Sequence, residues 1–227
     1  MMYQLYRKND ETFIVLIAPN TIGEWYYDLD GYNVEVKEND WALVFDQLRL
    51  FFKLVQNNNI VLKEFYINFK DFKQTISSLE DLDKVIELFM INKYYNAKDG
   101  FDIKCVGKCP ITNEESLDCE LFGVELKRNN SVSMSIYTRN LCYLPHNPIT
   151  KSKQYEVWKL NAPRLARSLE SFNTKTTLSL IMEGEYWKNG GAFNDKHPFY
   201  LMNTSIDGVE DPDWDEFYMP FEILEDS

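Results

Sequence analysis

Asn39–Asn59, NDWALVFDQLRLFFKLVQNNN, is the stretch whose reading decides the fold. Trp41, Val44, Phe45, Leu48, Phe51, Phe52 and Val55 recur at the i, i+3, i+4, i+7 spacing of one helical face, while Asp46, Gln47, Arg49, Lys53 and Gln56 fall elsewhere. Leu43, Leu50 and Leu54 widen the stripe beyond what one neighbour can cover. The pattern therefore predicts a buried helix closed over by at least one sheet and by a second element. Asn39 or Asp40 is placed to cap its start, and Asn57, Asn58 and Asn59 to release its end.

Before this helix, Thr12–Ala18 (TFIVLIA) is a continuous β-branched and aliphatic run ended by Pro19, which suits a strand buried on both faces. Trp25–Asp28 and Tyr32–Val36 flank Asp30-Gly31, a pair suited to the positive φ angles of a tight hairpin turn. After the helix, Ile60–Phe69 puts Val61, Phe65, Ile67 and Phe69 on one face of a second strand. Ser77 and Ser78 precede Glu80 and Asp81 at capping distance, and Leu79, Leu82, Val85, Ile86, Phe89 and Met90 then keep a helical period to about Tyr95.

From Gly100 the pattern changes to short strands, predicted at Phe101–Val106, Leu117–Leu126, Ser131–Thr138, Tyr155–Leu160, Thr176–Trp187 and Phe199–Asn203. One short helix interrupts them, capped by Asn161, with Pro163 in its first turn and Leu165, Leu169 and Phe172 on one face. The fold class that follows is α+β: a mainly antiparallel sheet with two principal helices, those of Trp41 and Leu82, packed on it. Residues 1–227 read as a single domain, with only a weak boundary at 97–100.

The totals narrow the function. With 227 residues, 44% hydrophobic and 15% aromatic, the chain has enough apolar surface for one large core. A net charge of −12 and a pI near 4.7 disfavour binding to nucleic acid, which needs clustered Lys and Arg to displace counterions. No apolar run reaches the ~18–20 residues that span a bilayer, so no membrane association is expected. The start MMYQLYRKNDETF lacks a secretory layout. The expected location is the cytoplasm, with reduced thiols.

Motifs were weighed for chemistry. Cys105 and Cys109 (C-x3-C), Cys142 and His146 (C-x3-H) and Cys119 allow a zinc site to be drawn, but zinc ligands favour tighter pairs and buried strand cysteines explain the same positions. No metal or other cofactor is expected. Asp28, Asp30 and Asn33 around Gly31 misplace the glycine of a calcium loop, and Asp211, Asp213, Asp215 and Glu222 match one except that Glu216 stands where glycine is needed. Glu35-Val36-Lys37 and Glu125-Leu126-Lys127 match half of a metal-dependent nuclease motif without an upstream acidic partner. Glu183 and Glu185 share a strand face as glycosidase carboxylates do, although Gly184 between them suggests close packing. No nucleophile motif, phosphate loop or dinucleotide fingerprint is present.

Charge is segregated more clearly than motifs. Residues 151–175 carry Lys151, Lys153, Lys159, Arg164, Arg167 and Lys175 against Glu156 and Glu170, whereas residues 207–227 carry nine acidic residues and no lysine or arginine. Trp214, Phe217, Tyr218, Met219, Phe221, Ile223 and Leu224 are interleaved with those carboxylates, unlike a plain solvating tail. Either this segment closes the core, or it presents Asp211, Asp213, Trp214, Asp215, Glu216 and Tyr218 to a basic protein partner. In general character the chain resembles toxin-immunity proteins, a resemblance of composition that assigns no individual residue. It implies a non-catalytic, protein-binding inhibitor that covers the active site of a basic bacterial toxin such as a nuclease. The alternatives are a hydrolase or metal-dependent enzyme using a carboxylate pair, and an acidic regulator that mimics nucleic acid.

Overall fold

Helix α1 spans Glu38–Asn57, so Asn39 and Asp40 lie in its first turn rather than at its cap. The structure is a computed structural model that describes residues 5–8, 12–15, 17–18, 21–29, 38–94, 100–128, 132–147, 152–181, 193–194 and 197–201. All seven residues of the predicted apolar face of α1 are buried. The helix ends as expected, with the Asn58 side-chain amide donating to the Leu54 carbonyl at 2.9 Å and Asn59 in the left-handed region at φ 60°. Gln47, grouped by the sequence with the polar residues, is buried. Its Oε1 accepts from the Thr176 hydroxyl at 3.0 Å and the Thr177 N–H at 3.3 Å, which fastens α1 to the end of another helix.

The sheet beneath α1 is built from β3 (Gly23–Asp28), β4 (Leu62–Phe69), β5 (Phe72–Ile76), β6 (Phe101–Pro110), β7 (Ser116–Arg128), β8 (Val132–Thr138) and β11 (Ser179–Leu180). Their order is β11-β3-β8-β7-β6-β4-β5, with antiparallel pairing throughout. Phe65, Ile67 and Phe69 of β4, Phe101, Ile103 and Cys105 of β6, and Phe122, Val124 and Leu126 of β7 stand in register on one face. Trp25, Tyr27, Met134 and Ile136 extend that face across β3 and β8.

Two further helices flank α1 on the same face: α2 (Leu79–Ile91) and α3 (Tyr155–Lys175). Phe45 of α1 meets Phe89 of α2 edge-on at 5.4 Å and Phe101 of the sheet at 5.3 Å. Phe51 meets Phe172 of α3 and Phe122 of the sheet, each at 5.5 Å. Layered burial of this kind contributes roughly 1.5–3 kcal/mol per large apolar side chain. The α+β class is thus the observed one, with three long helices rather than two.

Four sequence expectations are corrected. Tyr155–Leu160 is the first part of α3, not a strand: Trp158, Ala162, Leu165, Leu169 and Phe172 continue one buried helical stripe. Asn161 does not cap that helix; it sits inside it, donating to the carbonyls of Val157 and Pro110, both at 2.7 Å, and Pro163 lies in the helix interior. Val61 is exposed, because the β4 register shifts between Leu62 and Glu64. Finally, the Thr12–Ala18 run yields β2 (Thr12–Val15), which pairs with β1 (Leu5–Lys8) in a separate two-stranded ribbon, a local pairing that closes only a short loop.

The helix predicted after Ser78 is observed as α2, with the Ser78 hydroxyl accepting from the Asp81 N–H at 3.1 Å. Strand β5 had no sequence prediction. It follows β4 through the two-residue link Lys70-Asp71, with Lys70 at φ 51°. Short pairs complete the described chain: β9 (His146–Asn147) with β10 (Ser152–Lys153), and β12 (Phe193–Asn194) with β13 (His197–Leu201). Of the strand predicted over Thr176–Trp187, residues 176–181 are described: Thr176 ends α3, and only Ser179–Leu180 form a strand, β11. The Asp30-Gly31 hairpin turn and its Tyr32–Val36 arm lie outside the described residues. Among the described residues, no helix is long and apolar enough to cross a membrane.

Candidate functional site

The residues singled out by the sequence for partner binding, Asp211, Asp213, Trp214, Asp215, Glu216 and Tyr218, lie outside the described residues, as do Glu183, Glu185, Glu222 and Glu35-Val36-Lys37. Glu125 and Lys127 are described. Both project from the outer face of β7 and pair with each other at 2.7 Å, an arrangement that an exposed charged strand adopts without any metal.

The outer face of the sheet is polar, and its side chains join neighbouring strands. Ser135 of β8 donates to Glu24 of β3. Arg139 donates to both carboxylate oxygens of Glu120 on β7, at 3.0 and 2.6 Å. Tyr137 of β8 reaches across β7 and donates to Asp102 of β6 at 2.8 Å. The crossing is possible because Gly123 lies opposite Tyr137: a Cβ there would intrude on the phenol ring, so glycine makes room for the aromatic side chain above it. Cross-strand pairs of this kind each contribute roughly 0.2–1 kcal/mol.

Asp102 is the perturbed carboxylate of this face. Burial raises its pKa above the ordinary aspartate value, against the opposing effects of the Tyr137 hydrogen bond and the Lys104 charge. Tyr137 is pushed up as well, first by burial and then by Asp102. A carboxylate whose folded pKa is raised opposes folding when ionised. That penalty is fully present above the folded pKa and disappears as pH falls through it towards the unfolded value. Asp102→Asn, which still accepts from Tyr137, is therefore expected to be more stable than the wild type at pH 7, with the difference closing in acid. Denaturant titrations at both pH values check this; equal stability at pH 7 would show that no desolvation penalty exists.

Beneath the other end of the sheet, the cysteines occupy the core. Cys105, Cys109, Cys119 and Cys142 are all buried free thiols. Cys109 lies within hydrogen-bonding reach of both Cys119 and Cys142, and Asn140 Nδ2 donates to Cys119 Sγ at 3.2 Å. Burial pushes the Cys105 and Cys142 thiols up; for Cys119 the hydrogen bond with Cys109 comes first and burial second. Thiols held protonated in this way are poor nucleophiles. Among the described residues no three His, Cys, Asp or Glu side chains are placed to hold one metal ion.

An open groove lies at the far edge of the sheet. It has a volume of about 580 Å³ and runs between β5 and α2, lined by Glu64, Thr75, Ile76, Asp81, Val85 and Leu88 among others. Its floor is apolar and buried at Ile76 and Val85, while Leu88 remains 40% exposed and Ile91, one turn on, 75% exposed. The capped start of α2 sets this geometry: Asp81, Val85 and Leu88 recur at i, i+4, i+7 and so share the face that looks along β5. Helix α2 carries Glu80, Asp81, Asp83 and Glu87 against Lys84 alone, and Lys84 is paired with Asp81 at 2.6 Å. The sequence reading missed this groove because it did not find β5. The available signal was Phe72 and Ile76, four apart and so on one strand face, directly after a firm strand.

Comparison with protein-family models, with characterised proteins and with solved structures finds no match to this chain.

Proposed function

We propose that this chain is a non-catalytic protein-binding inhibitor of the immunity type, acting in the cytoplasm on a basic partner such as a nuclease toxin. The observation that carries the reading is electrostatic: a net charge of −12, with Glu80 and Glu87 exposed on α2 beside an open groove, while Asp81 is paired with Lys84 and Asp83 with Arg49 of α1. Charge of this sign steers a cationic partner into encounter and repels nucleic acid. The exposed apolar side chains Leu88 and Ile91 give such an encounter an anchor to desolvate. Nine of the chain's acidic residues fall in 207–227, which carries no lysine or arginine.

The test is functional capture. Native lysate is passed over the immobilised chain at low ionic strength and eluted with rising salt, and the retained protein is assayed with and without added chain. The expected result is a protein of net positive charge, released as the Debye length shortens, whose activity falls in proportion to the chain added. Retention of no basic protein, or of one whose activity is unaffected, overturns the inhibitor reading.

A further inference from the structure

The groove beside β5 combines three kinds of recognition element. The first is backbone. Phe69 and Phe72 close the two-residue loop between β4 and β5, and the pairs Ile67↔Gln74 and Phe65↔Ile76 follow in register. In an antiparallel ladder closed by such a loop, the closing pair carries the hydrogen bonds and alternate pairs repeat it. The N–H and C=O groups of Lys73 and Thr75 therefore face away from β4. Among the described residues no strand pairs with that side of β5. The second element is apolar, with Ile76 and Val85 below and the exposed Leu88 along the rim; Ile91, one turn on in α2, is exposed as well. The third is charge: Glu64, Asp81 and Lys84 line the groove, Lys84 being paired with Asp81, and Glu80 and Glu87 stand exposed on the adjoining turns of α2, which leaves an acidic excess.

We infer that this groove receives an extended, lysine- or arginine-bearing segment of a partner protein as an added strand on β5. Main-chain bonds to Lys73 and Thr75 supply the affinity, alternate aliphatic side chains cover Leu88, and the intervening cations, on the opposite face of the added strand, reach towards Glu64. The partner's charge rests on the function proposed above; the mode of binding does not. A second copy of this chain is a poor occupant, because pairing β5 with β5 would bring two acidic α2 helices together. The chain's own residues 207–227 are poor occupants for the same reason, carrying nine acidic side chains towards an acidic groove.

The experiment uses the full chain, isotope-labelled, and two capped peptides of about eight residues, one alternating lysine with valine and isoleucine, the other with glutamate in place of lysine. For the lysine peptide, backbone amide shifts are expected at residues 73–77 and 81–91, with slowed hydrogen exchange at Lys73 and Thr75. The glutamate peptide is expected not to bind. Thr75→Pro removes one outward N–H without removing a bond to β4, and Leu88→Lys puts a cation on the exposed rim. Each is expected to weaken the lysine peptide about tenfold or more, with the remaining amide spectrum unchanged to show that the fold is kept. Shifts confined to another surface overturn the groove while leaving a basic partner in place. Failure of the lysine peptide to bind also overturns the groove, and the capture experiment then decides the function separately. Protection of Lys73 and Thr75 without peptide, together with a doubled mass in sedimentation, replaces the partner strand with a second copy.

Discussion

Phe51→Ala is expected to lower stability by about 3–5 kcal/mol, as truncation of a buried aromatic does. Phe51 of α1 is fully buried where α1, α3 and the sheet meet. Its ring is edge-on to Phe122 of the sheet and to Phe172 of α3, at 5.5 Å each, and tilted against Phe52 at 6.2 Å. Deleting it leaves a cavity walled by a strand and two helices, and rigid walls from separate elements collapse poorly, which puts the cost at the upper part of the range for core substitutions. Urea denaturation measures it as a lower midpoint with an unchanged slope. A loss below ~1 kcal/mol would mean that the layers do not meet at Phe51.

The second large effect is expected at Asn140, a buried polar residue where β8 ends and the Leu141–Tyr143 turn begins. Its Nδ2 donates to the Glu120 carbonyl at 2.8 Å and to Cys119 Sγ at 3.2 Å. Its Oδ1 accepts from the Cys142 N–H at 3.0 Å. Asn140→Leu leaves a buried N–H and a buried carbonyl with no partner, at about 1–3 kcal/mol each, so a total loss of roughly 2–5 kcal/mol is expected. Asn92→Ala provides the contrast. The Asn92 side chain makes a similar bond to the Leu88 carbonyl at 2.8 Å, but in an exposed place, where water replaces the lost donor and the cost is expected to stay near 0.5 kcal/mol. Equal losses for the two variants would show that burial of the Asn140 network does not set its worth.

The contrast between α1 and α3 shows what a sequence reading can reach. Trp41, Val44, Phe45, Leu48, Phe51, Phe52 and Val55 follow a helical period without interruption, and all seven are buried. In α3 the same period runs from Trp158 to Phe172, but Asn161 and Pro163 imitate a helix start within it. A buried asparagine that bonds to the neighbouring Pro110 carbonyl cannot be told from a cap until the strand beside it is placed. The outer-face cluster is illegible for a related reason. Asp102, Gly123 and Tyr137 meet only through the registers of β6, β7 and β8, and the shift opposite Cys105 and Val106, which leaves Leu121 unpaired, changes which residues share a face along β7. The cysteines were read correctly as buried. Their spacing gave no sign that Cys109, Cys119 and Cys142 converge, because that depends on a hairpin and a turn folding back over it. The groove beside β5 was hidden with the strand that forms it.

The position of β3 in the sheet also bears on the order in which the molecule is assembled. Strands β6, β7 and β8 are consecutive hairpins and pair as soon as each is complete, whereas β3 pairs with β8, Gly23 opposite Thr138. On a ribosome adding ~5–20 residues per second, the roughly 115 residues between those partners take on the order of ten seconds to appear. Throughout that interval Trp25 and Tyr27, both buried in the finished sheet, have no β8 to lie against. A nascent chain that relies on so late a partner for its first sheet strand spends that part of its synthesis with two large aromatic side chains unpaired, the kind of transiently exposed apolar surface that aggregates or is bound by chaperones.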